Sequence, residues 1–234
     1  MMERHLIWDF DGTLAVRDGG WSGALAEVWV DHAPQHPISA EQFRPCLQRG
    51  FPWHQPEILR PAGESPQRWW QRLQPVFVQA FREVARTDDA TASTLARRVR
   101  QVYADGRRWR LLRGVEQALA KLTGLGFDHV ILSNHTPELP QIVRGVGIAG
   151  SFKALFNSAV TGVEKPHPQA FRQVLETLPG EAEVWMIGDS MTSDVAGAEA
   201  VGIPAILVHR EEPAAVRCCH CLSELPSMLE AAVR

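Results

Sequence analysis

The sequence predicts an α/β protein: a mostly parallel sheet covered by helices on both faces, with an all-helical module inserted after its first strand. Three observations carry this. The apolar run Leu6-Ile7-Trp8 ends abruptly in Asp9-Phe10-Asp11-Gly12-Thr13-Leu14, the pattern of a buried strand leaving the sheet through an acidic turn. From about residue 16 to 105, helical signals dominate and strand signals hardly occur. After residue 106 helix and strand alternate, which implies parallel strands joined by crossover helices.

Taken in order, residues 16–20 are polar and glycine-rich and read as a hinge. Trp21, Leu25, Val28 and Trp29 recur at helical spacing. Ser39, three residues before Gln42, makes a capping-box signature, and Pro45 should kink or shorten that helix. Ser65-Pro66 is a cap followed by proline at the first helical position; Trp69, Leu73, Phe77, Ala80 and Val84 then form one apolar stripe. A last helix around 91–104 carries Leu95, Val99 and Val102 and closes the module, residues 16–105. The flanking segments, 1–15 and 106–234, form the core. After the first strand they supply helices at 114–125, 137–146, 168–178 and 193–201, and strands at 128–133, near 155–160, at 184–188 and at 205–208.

At 234 residues and 26.0 kDa the chain can hold one large domain, or a core with a smaller insertion. A net charge of -3 argues against nucleic acid or an anionic membrane as the main partner. No apolar stretch approaches the ~20 residues of a membrane span. Met1-Met2-Glu3-Arg4-His5 leads into a run broken at once by Asp9, so no secretory leader is expected. Four cysteines, three of them crowded at 218–221, make no secreted disulfide framework. The expectation is a cytoplasmic monomer or homodimer. Cys218-Cys219-His220-Cys221 lacks a second pair of zinc ligands and reads as an apolar strand end. Arg97, Arg98, Arg100, Arg107, Arg108, Arg110 and Arg113 read as a solvated helix face and hinge.

Parallel sheets bind ligands outside the carboxyl ends of their strands. Those ends read Asp9 and Asp11, then Ser133-Asn134, then Gly188-Asp189-Ser190 with Asp194 beyond; Lys165 precedes the helix leading into the Asp189 strand. Asp9 and Asp11 begin on the same side of a strand and its turn, which suits a hard metal ion and a phosphate. Each piece also has a plain structural reading. The two aspartates could be an acidic turn, and Ser133-Asn134 a turn capped by Thr136 before Pro137. Lys165 could be a surface lysine, and Asp189 and Asp194 could merely favour a helix amino terminus. Yet the chain has three lysines against 21 arginines, and one of the three stands directly before Pro166 at this rim. In the proline-rich loop 51–66, Trp53 and His54 are the module's candidate substrate contacts, with packing inside the module as the alternative.

The order D-F-D-G-T-L, S-N, K-P and G-D-S-M-T-S-D-V-A-G-A resembles the haloacid dehalogenase superfamily of hydrolases over essentially the whole chain. The resemblance implies a Rossmann-like sheet of strand order 5-4-1-2-3 with a helical cap inserted between the first and second motifs. It implies a Mg2+-dependent phosphatase acting on a small phosphorylated metabolite. Asp9 would be the nucleophile and Asp11 the general acid and base. Ser133, Asn134 and Lys165 would hold the phosphoryl group. Asp9, the Asp11 backbone carbonyl and Asp189 would bind magnesium, with Asp194 in support behind them. A phosphomutase, a carbon–halogen hydrolase and a non-catalytic regulator are the alternatives on this fold. The carbon–halogen chemistry needs neither the second aspartate nor magnesium, and a regulator would usually have lost the nucleophile or the lysine. One departure is visible: His167 stands where the family often has aspartate. Histidine is the poorer helix cap by on the order of 1 kcal/mol, so looser backbone near Lys165 is expected.

Overall fold

Strand β1 (Arg4–Trp8) lies inside the sheet, and the chain builds outward from it on both sides. The computed structural model describes residues 3–210, 212 and 217–232. After β1 come β2 (Ala15–Arg17) and four helices, α1 (Gly20–His32), α2 (Ala40–Phe43), α3 (Pro66–Ala85) and α4 (Asp89–Tyr103), before β3 (Trp109–Leu111). Alternation follows: α5 (Val115–Gly124), β4 (Phe127–Ser133), α6 (Leu139–Gly145), β5 (Ala154–Asn157), α7 (Ser158–Thr161), α8 (Pro168–Leu175) and β6 (Glu183–Gly188). The chain continues with α9 (Gly197–Glu199), β7 (Ala205–Val208), β8 (Cys218–Cys219) and α10 (Leu225–Ala232).

The main sheet has the order β5-β4-β1-β6-β7-β8, and every neighbouring pair is parallel. Its five longer strands, counted along the chain, take the 5-4-1-2-3 order that the resemblance implies. The structure differs by one edge strand: the cysteine run forms β8 and extends the sheet beyond β7. Trp8 lies opposite Ile131 on one side and Ile187 on the other, so β1, β4 and β6 finish nearly level. Their carboxyl ends therefore share one rim.

Alternation along β1 covers both faces. Leu6 and Trp8 enter an apolar cluster with α5, α6 and α10, whereas Ile7 enters a second cluster with α8 and α9. Each such side chain contributes roughly 1.5–3 kcal/mol on burial. The first cluster runs on without a break into the inserted helices through Phe10, Leu14 and Trp109.

Local signals account for most helix ends. Ser65 Oγ accepts from the Arg68 N–H at 3.3 Å, and α3 buries Trp69, Leu73, Phe77 and Ala80 as the stripe predicts. Ser39 N–H donates to Gln42 Oε1 at 3.0 Å, and with Pro45 the chain passes from α2 into a 3-10 turn, Arg44–Leu47. Asp88 caps α4 by accepting from the Thr91 N–H at 2.8 Å.

Four expectations need correction. Residues 16–20 are only partly a loose hinge. β2 pairs antiparallel with β3, placing Val16 opposite Arg110, and the Leu112 N–H donates to the Leu14 carbonyl at 3.0 Å. A three-residue strand is too short to show its alternation. The helix expected at 137–146 starts only at Leu139 and has no side-chain cap from Thr136; the Thr136 carbonyl accepts both from the Leu139 N–H at 3.1 Å and from Asn157 Nδ2 at 2.7 Å. The strand expected near 155–160 stops at Asn157, whose side chain turns to cap α7 by accepting from the Ala159 N–H at 3.0 Å. The helix expected at 193–201 opens as a π-helical turn, Met191–Ala196, of the kind that often accompanies functional sites.

The arginine stretch is largely paired at the surface, for example Arg98 with Asp31 at 3.1 Å and Arg108 with Glu27 at 2.9 Å. Among the described residues no helix is long and apolar enough to cross a membrane.

Candidate active site

A cavity of about 260 Å³ opens over the rim where β1, β4 and β6 end. β1 delivers Asp9, which is buried, while Phe10 turns into the core and Asp11 faces the cavity. Gly12 then closes the turn at φ +89°, donating its N–H to the Ala15 carbonyl at 2.9 Å. A Cβ there would stand 2.8 Å from the Asp189 carboxylate, so position 12 requires glycine for conformation and for close approach.

Lys165 is the electrostatic centre. It is 2% exposed, and its Nζ donates to Asp9 Oδ1 at 2.9 Å and to Asp194 Oδ1 at 2.5 Å. Burial alone would lower its pKa, but Asp194 and Asp9 more than offset that and raise it, so the ammonium stays charged. Asp194 is engaged on both oxygens, because Oδ2 accepts from the Ser190 N–H at 3.0 Å. That fits a supporting place behind the reacting groups. Asn134 clamps the Lys165 backbone from both directions, donating Nδ2 to its carbonyl at 2.8 Å and accepting its N–H at 2.7 Å. That clamp uses one amide N–H and one lone pair, and Asn134 still lines the cavity with a second N–H to offer.

His167 corrects the sequence reading. Its Nδ1 accepts from the Gln169 N–H at 3.2 Å and caps α8. The imidazole supplies the acceptor that an aspartate would have supplied, and the Asn134 clamp adds a second hold. Lys165 is not loosely placed.

Ser133 ends β4 with its Oγ buried, on the cavity wall, and without a partner among the described residues. A buried hydroxyl left unpaired costs stability, so its position calls for an external oxygen to donate to. On the opposite side, Asp189 Oδ1 accepts from the Thr13 hydroxyl at 3.4 Å and Oδ2 from Arg210 at 3.0 Å. Burial, then repulsion from Asp9, pushes the Asp189 carboxyl up. For Asp11, burial followed by repulsion from Asp9 and Asp189 pushes the carboxyl up to about 7, although its side chain opens onto the cavity and water there softens the effect.

Asp9, Asp189 and Asp194 each offer a carboxylate oxygen, all within 4.8 Å of one another. This is a hard, all-oxygen donor set suited to magnesium. Asp189, like Asp194, has both oxygens hydrogen-bonded, so engagement does not separate them; Asp194 is the more deeply placed of the two, at 1% exposure.

Trp53 lines the cavity and His54 does not. The two sit on a 3-10 turn, Pro52–His54, where neighbouring side chains point about 120° apart. His54 is exposed, and its Nδ1 accepts from the Phe51 N–H at 3.4 Å. Three lining residues escaped the sequence reading: Trp21, which reads as an ordinary member of a helical stripe, Ser193, in the turn between Asp189 and Asp194, and Tyr103, which ends α4.

Glu164, next to Lys165, is 1% exposed, with an Arg60 guanidinium nitrogen 4.0 Å away. Burial pushes its carboxyl from 4.5 up to about 7. A raised carboxyl pKa gives stability that is present below the unfolded value and lost as pH rises through the folded one. Wild type should therefore lose stability between pH 4.5 and about 7. Glu164→Gln should flatten that loss, gaining on the order of 2 kcal/mol relative to wild type at pH 8. Melting temperature against pH checks this; parallel curves for the two proteins would refute it.

The family model for haloacid dehalogenase-like hydrolase matches residues 3–202. The mouse haloacid dehalogenase-like hydrolase domain-containing protein 3 is 31% identical over 217 residues, 90% of this chain and 83% of its own. A phosphoserine phosphatase of Thermus thermophilus is 30% identical over 140 residues, 58% of this chain and 55% of its own. Among solved structures, the Bacillus subtilis HAD-hydrolase YfnB, bound to magnesium, has a TM-score of 0.75 at 22% identity, covering 98% of this chain and all of that one. That likeness is one of fold.

Proposed function

The chain belongs to the haloacid dehalogenase-like hydrolases, and from that premise we propose that it is a magnesium-dependent phosphatase of a small phosphate monoester, working through an aspartyl-phosphate. One observation carries the reading. The buried Lys165 ammonium lies 2.9 Å from Asp9, and a buried Ser133 hydroxyl with no partner among the described residues lines the same cavity, so one cavity holds the carboxylate, a cation and a free donor. A phosphoryl group brought against Asp9 meets both.

Asp9 attacks phosphorus with one carboxylate oxygen while Lys165 holds the side chain in place. As the ester P–O bond breaks, the departing alkoxide takes a proton from Asp11, whose carboxyl faces the cavity. Asp11 then takes a proton from the water that attacks the aspartyl-phosphate, releasing phosphate and restoring Asp9. Lys165 and Ser133 stabilise the charge on the phosphoryl oxygens throughout. Asp9, the Asp11 backbone carbonyl and Asp189 would hold magnesium, which when bound reduces the repulsion between nucleophile and phosphate.

The division into a core (1–15 and 106–234) and a cap (16–105) belongs to the same proposal. The β2–β3 ribbon is the joint between them, and the α1–α4 helices are the cover that excludes water. All four cysteines are free thiols, as a cytoplasmic setting would require. The similarity to a phosphoserine phosphatase supports phosphate ester chemistry over carbon–halogen chemistry.

The test is a panel of phosphate monoesters incubated with the protein and magnesium, with released phosphate measured. Turnover of at least one ester is expected. Release from none, together with halide release from a 2-haloacid, would replace this reading with the dehalogenase one.

A further inference from the structure

The charged groups lining the cavity all come from the sheet rim, whereas the inserted helices and their loops bring only aromatic rings, Trp21, Trp53 and Tyr103. Trp21 lies flat on Tyr103, with centroids 3.6 Å apart and planes 10° from parallel. Trp53 is backed by Phe51, centroids 4.8 Å apart at 20°, and stands 6.2 Å from Trp21. Stacking of this kind fixes ring positions before any ligand arrives. Tyr103 is 2% exposed, while Trp21 and Trp53 are half-buried and keep open surface at the cavity wall.

Charge points the same way. Asp9, Asp11, Asp189 and Asp194 line the cavity against one lysine, which Asp9 and Asp194 already share. The nearby arginines are committed. Arg17 donates to Glu27 at 2.8 Å and to the Asp18 and Gly20 carbonyls at 3.1 and 3.0 Å, and Arg210 donates to Asp189 at 3.0 Å. Among the described residues no lining cation is left to receive a carboxylate on the leaving group, and burying one unpaired is costly. An ammonium would meet only carboxylates that the reaction itself uses. At about 260 Å³ the cavity is smaller than the pockets of drug-sized ligands, with room for a phosphoryl group and roughly one ring.

We propose that this slot selects phosphate monoesters whose leaving group is small, uncharged and flat, an aryl or arylmethyl alcohol, over esters that carry a carboxylate or ammonium. The identity of the ester rests on the phosphatase reading above; the binding preference does not.

Two measurements separate them. Benzylphosphonate and phosphonoacetate have stable C–P bonds and differ in a neutral ring against a carboxylate. Titration calorimetry on the wild-type protein with magnesium should show benzylphosphonate binding at least about tenfold tighter, the size expected of one or two ring contacts. Equal or tighter binding of phosphonoacetate overturns the slot. In turnover, benzyl phosphate should exceed phosphoserine, another primary-alcohol ester, by at least about tenfold in kcat/KM. Trp53→Ala should erase most of that advantage through KM, Trp53→Phe should keep it, and His54→Ala should leave it unchanged. A ranking that Trp53→Ala leaves intact also overturns the slot. A benzylphosphonate preference without phosphate release from any ester upholds the slot and overturns the phosphatase reading.

Discussion

Asp9→Asn is expected to lower phosphate release at least about a thousandfold, some 4 kcal/mol in the barrier, while the protein stays folded. An amide supplies neither the charge nor the lone-pair donation that attack on phosphorus requires. The geometry explains why the fold should survive. Lys165 keeps its 2.5 Å partner Asp194, so the buried ammonium is not stranded. Asp11 and Asp189 lose a neighbouring like charge, which after burial is the next cause raising both of their pKa values. The melting temperature should hold or rise slightly, as is common when a functional carboxylate is removed. Phosphate release at matched circular dichroism is the measurement. Activity within tenfold of wild type would remove Asp9 from the nucleophile role.

What the sequence shows of this site follows from where each residue sits. Asp9, Ser133 and Asp189 stand at the carboxyl ends of strands whose apolar runs are plain, so topology alone gathers them on one rim. Lys165 is legible through its rarity and its place before Pro166. Tyr103 is not legible, because its role depends on α4 ending above β1, a relation between segments some ninety residues apart that no local pattern encodes. The same holds for Asn134. Beside Ser133 it reads as a phosphate ligand, and its clamp on the backbone of Lys165, thirty-one residues on, is the part no local pattern shows. The β2–β3 ribbon fails for a different reason. With three residues in each strand, periodicity has nothing to act on, and the glycines that follow dominate the local signal.

Chelation should abolish phosphate release, and added magnesium should restore it. Asp9, Asp189 and Asp194 crowd their oxygens within 4.8 Å, with one buried lysine against them. Burial, and behind it repulsion from Asp9, raises the Asp11 and Asp189 pKa values, as expected of crowded carboxylates. A divalent cation bound only by the folded protein stabilises it by mass action, about 2.7 kcal/mol at a hundredfold excess over its dissociation constant. For a chain of this length that corresponds to a rise of about 5–10 °C in melting temperature, a readout independent of turnover. Calcium should also raise the melting temperature, because it accepts the same oxygens. It should restore little activity, since its larger and looser shell would misalign Asp9 for in-line attack. An unchanged melting temperature in magnesium would show that Lys165 and Arg210 already satisfy the carboxylates. Full activity in chelator would go further, because a nucleophilic Asp9 working without an ion is what metal-free displacement at carbon requires.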